Sequence, residues 1–473
     1  MKAVGGKERE DCPGSADQSV SKAAANETLR RVARGSVAAF AIYVVSIGVT
    51  YVSQLLIARM VGVDIYGMYA YVFAWVTVLA YFSALGFDVA ILRFVPAYEA
   101  ARDWRLLKGV IRYSQRRAAA VGTVVVLVGL LIVQFRASSM SVDLRNAFVV
   151  GLVLVPVWAL LWIRCSVVRA FGGVVWAIAP DRLVRDGMLV AIVAAAAICL
   201  RWRLDATELT VATLASSLLG LAFTRRAMRR LRPPPTITAV PAYAAATWRA
   251  VALPLVLIGA IEALMNRTGV LLLGWIGDTT AAGVYSMAFN IAFVVALPRT
   301  AVNILFAPAI ASLHARNEGG MLQVLVARAA AWTLCAGAIV ALALAIVAGP
   351  LLAWFGPGFE SGASALRILL LGQVIVSAAG SQQHVMLMTG HERGAAAILV
   401  SCAAANAAGC IALVGWLGPT GAAISATVAL VFWNAAMAAF IWRRLRLRPG
   451  IIAALPFRGG RHGVLAPGEG ALT

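Results

Sequence analysis

The sequence predicts an all-α polytopic membrane protein with about twelve transmembrane helices. Of its 473 residues, 62% are hydrophobic and only 13% are charged, whereas a soluble globular protein carries about 25% charged residues. Apolar runs long enough to cross a bilayer, about 20 residues each, recur along the chain. The formal net charge of +21 lies between these runs, so we assign it to membrane orientation and expect no nucleic-acid partner.

Twelve apolar spans follow one another along the chain. Their approximate bounds are Gly35–Ile57, Met68–Leu92, Ala118–Phe135, Ala147–Phe171, Trp176–Leu200, Leu209–Phe223, Trp248–Gly277, Gly283–Ala311, Ala329–Ala348, Ala365–Thr389, Ala395–Leu417 and Gly421–Trp442. The basic segment Pro96–Arg117 is not a span. Its pattern fits either an amphipathic helix at the membrane surface or an extension of the third span.

The segments that connect the spans are alternately rich and poor in arginine and lysine. They are concentrated in the N-terminal segment, after even-numbered spans and after the last span. Because such residues are retained on the cytoplasmic side, both termini are expected to be cytoplasmic. The polar N-terminal residues lack the apolar core of a cleavable signal peptide.

The second half of the sequence repeats the first. Gly67-Met68-Tyr69 opens the second span and Gly283-Val284-Tyr285 opens the eighth, each after a turn that contains Gly and Asp. The second span ends with Phe94-Val95-Pro96 and the eighth with Phe306-Ala307-Pro308. Two six-helix halves in the same orientation predict parallel repeats related by an axis along the membrane normal, a form that transporters use with the site between the halves.

The repeat predicts five regions of the chain. These are residues 1–33 as a disordered cytoplasmic tail, 34–224 as an N-lobe with spans 1–6, 225–247 as a basic, proline-containing cytoplasmic linker, 248–443 as a C-lobe with spans 7–12, and 444–473 as a basic cytoplasmic tail.

Several of these segments together resemble a known transporter group. They are Ala58–Tyr69, Leu85–Phe87, Leu92–Pro96, Leu272–Gly274, Gly283–Tyr285, Phe306–Pro308, Leu352–Phe359, Leu366–Leu369, Thr389–His391 and Gly418–Ala423. The stretch from about Arg30 to Arg446 is similar to the Wzx-type oligosaccharide flippases of the multidrug/oligosaccharidyl-lipid/polysaccharide (MOP) exporter superfamily. The resemblance implies a V-shaped, MATE-like bundle that works by alternating access.

The same resemblance implies a function in surface polysaccharide biosynthesis at a bacterial inner membrane. The substrate would be a polyprenyl-pyrophosphate-linked oligosaccharide, moved from the cytoplasmic to the periplasmic leaflet. Membrane lipids, a polysaccharide polymerase, chain-length machinery, and H+ or Na+ are the further candidate partners. The alternatives are a cation-coupled multidrug exporter, a lipid II flippase, whose relatives usually have fourteen spans, and a non-transporting partner of a glycan assembly complex.

The sequence carries no pattern for catalysis or for a resident cofactor. Its six cysteines and four histidines are dispersed, without a C-x-x-C pair, an H-E-x-x-H motif or a Walker A motif. The external connections are short and offer no paired carboxylates for acid–base chemistry. No catalytic residue, metal site or cofactor is therefore predicted, and the chain is not expected to be an enzyme.

Charges within the seventh and eighth spans form the main candidate site. Glu262 and Arg267 lie near the middle of span seven, and Arg299 lies in span eight. A charge at the bilayer centre costs about 2.5–3.5 kcal/mol on the insertion scale, so these side chains should face protein or water. Arginine pairs well with phosphate oxygens, which makes Arg267 and Arg299 candidates for binding a diphosphate; pairing within a lobe is the structural alternative.

Three more residues complete the candidate site. Asn266 shares a helix face with Glu262, Gln54 lies in span one, and Arg59 lies at the outer end of span one. Glu262 is the candidate residue for ion coupling, or the partner that neutralises Arg299.

Span five carries four charges that are expected to neutralise one another. Asp181 with Arg185, and Arg182 with Asp186, are spaced as i,i+4 pairs on a helix. This spacing favours a structural function over substrate binding.

Overall fold

The computed structural model describes residues 14–196, 204–300, 302, 319–389, 391–445 and 450–451. Side chains are described from residue 45 onward, except at positions 174, 319, 384, 388 and 392. Within these ranges every regular element is a helix. The all-α prediction is therefore confirmed.

Fifteen α-helices account for most of the described chain. They are α1 (Gly14–Ala84), α2 (Phe87–Ala100), α3 (Trp104–Phe135), α4 (Val142–Ala170), α5 (Val174–Ile178), α6 (Arg185–Ala194), α7 (Ala206–Leu231), α8 (Pro234–Thr238), α9 (Ala245–Trp275), α10 (Thr279–Phe293), α11 (Gly319–Ile346), α12 (Ala348–Ala353), α13 (Ala363–Ala379), α14 (Gln382–Met388) and α15 (Glu392–Leu445). A π-helix, Ala179–Val184, joins α5 to α6, and 3-10 turns occupy Ala137–Ser139, Val294–Ala296 and Phe359–Gly362.

The described helices account for the predicted number of spans. Nine of them are long and apolar enough to cross a membrane. Two of the nine, Val45–Ala100 and Arg393–Leu445, each contain two predicted spans. The fifth predicted span is the interrupted run from α5 to α6, and its last residues lie outside the described ranges. The structure is thus consistent with twelve spans and with a multi-pass membrane protein.

Two glycines divide the longest helices into separate spans. Gly62 has φ 81° and ψ 171° within α1, and Gly418 has φ 53° and ψ −132° within α15. These conformations lie outside the helical region and cost a residue with a Cβ more than they cost glycine. The chain therefore turns at Gly62 and Gly418, which separate spans one and two and spans eleven and twelve.

The structure decides between two alternatives for one segment and differs from the sequence prediction in two others. The segment Pro96–Arg117 is divided between the end of α2 and the start of α3, so its second part extends the third span, as one of the two alternatives proposed. The tenth span, predicted as one helix over 365–389, is broken between α13 and α14, where Gly380 has φ 73°. Helix α1 begins at Gly14, inside the segment predicted as a disordered tail.

The two halves share one apolar core on the predicted external side. The buried Tyr66 and Tyr69 of α1 pack in the same cluster as Tyr285 of α10 and Phe359. Across this boundary Tyr66 and Phe359 meet edge to face with ring centroids 5.6 Å apart. Nearby, the Thr280 hydroxyl donates to the Asp64 carboxylate over 2.6 Å. The α1–α10 contact is therefore the main crossing between the repeats.

The linker between the halves is fixed to α3. The largely buried Lys108 ammonium donates to the carbonyl oxygens of Ile237, over 2.5 Å, and Ala239, over 2.8 Å. The amide of Ala242 donates to the carbonyl of Arg105 over 3.0 Å. These bonds hold the start of α9, where the fully buried Trp248 packs among α2, α3 and α4. Span seven thus begins against the first half and continues into the second.

Candidate functional site

A polar cluster joins the two halves within the membrane. Tyr66, only 1% exposed, donates from its hydroxyl to Gln54 Oε1 over 2.8 Å. The same hydroxyl hydrogen-bonds with the side chains of Ser286 and Asn290 on α10, and Tyr51 donates to the Asn290 carbonyl. We call these five residues the interlobe polar cluster. Its bonds to Ser286 and Asn290 join the two halves, and separation of the halves would have to break them.

Arg267 lies beside this cluster on α9. Its charge interacts with the hydroxyl groups of Tyr66, Tyr81 and Tyr285 and with the guanidinium of Arg182. No carboxylate is among these neighbours, and no ion pair to Arg267 occurs in the described part of the chain. Two arginines from different halves, Arg182 and Arg267, therefore lie close enough to repel each other, and an anion between them would relieve that repulsion.

Glu262 and Arg299 are brought together on the other side of α9. Their charges interact, and the Glu262 carboxylate also hydrogen-bonds with the side chain of Gln383 on α14. In this arrangement Glu262 neutralises Arg299, which is one of the two alternatives that the sequence left open for Glu262. Arg299 is therefore a weaker candidate for a free cationic site than Arg267, and Glu262 has a structural partner as well as a candidate coupling function.

The charges of span five form a buried network in the first half. Arg185 donates to Asp181 over 2.8 Å, as the i,i+4 spacing predicts. Arg185 also donates to Asp186 over 3.0 Å, and Thr50 donates to the second Asp186 oxygen over 2.6 Å. The Arg185 guanidinium lies 5.0 Å from the centre of the Trp158 ring. Arg185 is thus neutralised by two carboxylates.

The predicted pair between Arg182 and Asp186 is wrong. Arg182 instead lies 3.6 Å from the carboxylate of its neighbour Asp181, with its side chain 41% exposed. Asp186 is bound instead by its neighbour Arg185 and by Thr50 of α1. Because both Asp186 oxygens have partners, Arg182 is left beside Asp181.

The charges around Arg267 do not cancel. Among the described residues, Arg182 and Arg185 form ion pairs with Asp181 and Asp186, Glu262 interacts with Arg299, and Arg267 has no ion pair. In the part of the chain that the structure describes, Arg267 is therefore a cation of this region without an ion-pair partner. A water-poor site of this kind favours an anionic ligand.

The remaining candidate residues are Gln54, Asn266 and Arg59. Gln54 belongs to the interlobe polar cluster, and Asn266 is half-buried on α9 next to Arg267. Arg59 is exposed near the end of the first span and makes none of the cluster's bonds. Within the described ranges, no three His, Cys, Asp or Glu side chains are grouped so that they could hold a metal ion.

Sequence reasoning missed most of the polar residues that surround Arg267. Tyr66, Tyr81, Ser286 and Asn290 each stand alone in an apolar run, where aromatic belts and helix packing are the ordinary explanations. The available signal was the position of Tyr66 directly before the repeated Gly-x-Tyr motif. That motif marks the place where the halves cross.

Three solved structures are similar to this chain in fold. A multidrug resistance MATE family transporter of the MOP superfamily, in an inward-facing conformation, matches with a TM-score of 0.69 and 14% identity over 85% of this chain and 94% of that chain. A Vibrio cholerae MATE transporter, VcmN, matches with a TM-score of 0.63 and 16% identity over 88% and 98%. The lipid II flippase MurJ matches with a TM-score of 0.61 and 12% identity over 86% and 87%.

These likenesses show the fold. No protein-family model and no curated protein matches the sequence. The chain therefore has the MATE-like fold of MOP-superfamily transporters, as the sequence resemblance implied, and its solved neighbours are transporters and flippases. One neighbour is a multidrug resistance transporter and another is a lipid II flippase, so the fold alone does not indicate a substrate.

Proposed function

We propose that this chain is an inner-membrane flippase that moves polyprenyl-pyrophosphate-linked oligosaccharide from the cytoplasmic to the periplasmic leaflet by alternating access. The observation that carries the proposal is the uncompensated Arg267 between the halves, close to Arg182. Both termini are cytoplasmic in this proposal. The product would enter surface polysaccharide biosynthesis, with a polymerase and chain-length machinery as the next components.

The diphosphate of such a substrate matches the charge of the site. A diphosphate is anionic and offers several oxygens, and a guanidinium can donate two parallel hydrogen bonds to them. Arg267 and Arg182 come from different halves, so one diphosphate bound between them would contact both halves. The hydroxyl groups of Tyr66, Tyr81 and Tyr285 near Arg267 add donors for phosphate or sugar oxygens.

The interlobe polar cluster gives alternating access a structural basis. Opening toward the periplasm requires the halves to separate where Tyr66 bonds Ser286 and Asn290. A substrate that replaces those bonds with its own would lower the cost of separation, because a buried polar group without a partner costs about 1–3 kcal/mol. In this mechanism Asn266 and Gln54 are sugar-binding candidates, and Glu262 remains the candidate for coupling to H+ or Na+.

The first test is the lipid content of a strain that lacks the protein. Mass spectrometry of its lipid extract should show accumulated polyprenyl-pyrophosphate oligosaccharide, with loss of surface polysaccharide. Complementation with wild-type protein should reverse both effects. Arg267→Gln should fail to complement, whereas Arg249→Gln, an exposed arginine on the same helix, should complement fully.

Other outcomes would redirect the assignment. Normal lipid-linked intermediates, with drug sensitivity that only the wild-type protein relieves, would establish the cation-coupled multidrug exporter. Accumulation of lipid II would establish a lipid II flippase. Full complementation by both Arg267→Gln and Arg299→Gln would favour a non-transporting partner of a glycan assembly complex.

A further inference from the structure

A shallow cationic cavity lies at the end of α7 that the predicted topology places in the cytoplasm. It has a volume of about 370 Å³ and is lined by Ala222, Arg225, Arg226, Arg229 and Arg230. All four arginines are exposed, and none forms an ion pair within the described residues. The cavity is remote in sequence from the interlobe polar cluster and has no function in the proposed transport path.

The helix face that carries this cavity changes from apolar to cationic along its length. Leu218 and Leu219 are 47% and 46% exposed, one turn before Ala222. Residues 218, 222, 225, 226 and 229 recur at the spacing of one helical face. The small side chain of Ala222 leaves room between the leucines and the arginines. Along this face an apolar surface is followed by a cationic one. The order matches the acyl chains and the anionic headgroup of a phospholipid.

Aromatic side chains mark the membrane surface at the same place. Trp176 stacks on Phe223 with ring centroids 5.3 Å apart and an angle of 22° between the rings. The Arg230 guanidinium lies 5.8 Å from the centre of the Trp176 ring. Trp residues with one face exposed are typical of the headgroup level of a bilayer. The arginines of the cavity are therefore at the depth where lipid phosphates lie.

A further arginine, Arg164, lies near the arginines that line the cavity. Arg164 of α4 interacts with the charge of Arg225, and its Nη1 donates to the Leu221 carbonyl over 3.4 Å. Its Nε atom is buried and has no hydrogen-bond partner in the described part of the protein. Like charges held this close, with an unused buried donor beside them, are costly without an anion.

From these observations we propose that the α7 cavity binds the phosphate headgroup of an anionic phospholipid of the cytoplasmic leaflet. Arg225, Arg226 and Arg229 bind the phosphate oxygens, and the acyl chains lie along Leu218 and Leu219. The topological rule alone requires arginines on this side, but it does not require a cavity among them. Lipid binding here would fix the first half in the leaflet independently of transport.

Lipid binding to the purified full-length protein tests this site. The probes are phosphatidylglycerol, phosphatidylcholine with the same acyl chains, and inorganic pyrophosphate, with the bound lipid counted by native mass spectrometry. The wild-type protein should retain phosphatidylglycerol in preference to phosphatidylcholine. The double variant Arg225→Gln/Arg226→Gln should bind phosphatidylglycerol about 30-fold more weakly, because that factor corresponds to two basic residues that each contribute about 1 kcal/mol near anionic lipid.

A matched variant separates a site from diffuse surface charge. Arg116→Gln/Arg117→Gln removes the same charge from an adjacent, exposed pair on α3. It should change phosphatidylglycerol binding by less than about 2-fold, because neither arginine lines the cavity and distant charges are screened by salt. Equal weakening by both double variants would overturn the proposal in favour of unspecific attraction. Equal retention of the two phospholipids, or displacement of phosphatidylglycerol by pyrophosphate at the same concentration, would overturn it as well.

A third variant keeps the test valid if the arginine variant does not fold. Ala222→Leu fills the cavity from a lipid-facing position and leaves every arginine in place. It should weaken phosphatidylglycerol binding while the protein elutes as wild type in gel filtration. Wild-type affinity in Ala222→Leu would show that the cavity does not receive the lipid and would sink the proposal.

Discussion

Gly67 and Gly283, which occupy the same position in the two sequence repeats, are in direct contact where α1 crosses α10. A Cβ atom on Gly283 would lie 2.6 Å from the Gly67 Cα and 2.9 Å from its nitrogen, and one on Gly67 would lie 2.1 Å from the Thr279 carbonyl oxygen. The obstacles are backbone atoms, which cannot rotate away. The halves approach this closely only because both residues are glycine.

Gly283→Ala should therefore weaken the closed state on the predicted external side. Overpacking of this kind costs about 1–3 kcal/mol, which changes a two-state population by roughly 5- to 150-fold. We expect faster reaction of a cysteine placed at Val63 with a membrane-impermeant thiol reagent. Gly48→Ala, on the same helix as Gly67 but with no atom within 4 Å of the added Cβ, should leave the labelling rate unchanged. Unchanged labelling in Gly283→Ala would mean that the crossing is not a gate.

A disulfide across the same crossing should arrest the transport cycle. The Thr280 hydroxyl and the Asp64 carboxylate are 2.6 Å apart, so these positions face each other across the crossing, and the extent of crosslinking is measured before transport is scored. Oxidation of Asp64→Cys/Thr280→Cys should abolish complementation or reconstituted flipping, and a reductant should restore it. Each single cysteine variant, oxidised in parallel, is the control. Transport that continues in a fully crosslinked protein would exclude opening at this point.

The network around Arg185 predicts a large loss of stability. Asp186 is 6% exposed and accepts from both Arg185 and Thr50. Asp186→Ala leaves a buried arginine with only Asp181, and breaking a buried pair costs about 3–5 kcal/mol. Its midpoint of thermal unfolding should fall well below that of wild type. Arg182→Gln is the comparison, because Arg182 is partly exposed and 3.6 Å from Asp181, a geometry worth about 0–1 kcal/mol. Equal midpoints for the two variants would contradict this account of the network.

The sequence predicted a structural feature correctly where a single physical rule determines that feature. Twelve spans follow from hydropathy, and the Asp181–Arg185 pair follows from helical spacing. The Arg182–Asp186 pair failed because Arg185 and Thr50, the second from another helix, bind Asp186 instead. The partners of Arg267 come from three separate helices, and their assembly depends on how the halves cross. A pattern within one segment of the chain does not contain that information.

Glu262 has two candidate functions, neutralisation of Arg299 and coupling to an ion gradient, and variants of the pair distinguish them. If its main function is to neutralise Arg299, Glu262→Gln and Arg299→Gln should each lower the thermal midpoint, and the double variant should recover most of the loss. Such a cycle for contacting charges typically gives about 0.5–3 kcal/mol of interaction energy. Transport measured across an imposed H+ or Na+ gradient then separates coupling from stability. We expect the double variant to be stable and to transport, because the charges that interact in the structure are removed together. A double variant that is stable but insensitive to either gradient would instead identify Glu262 as the coupling residue.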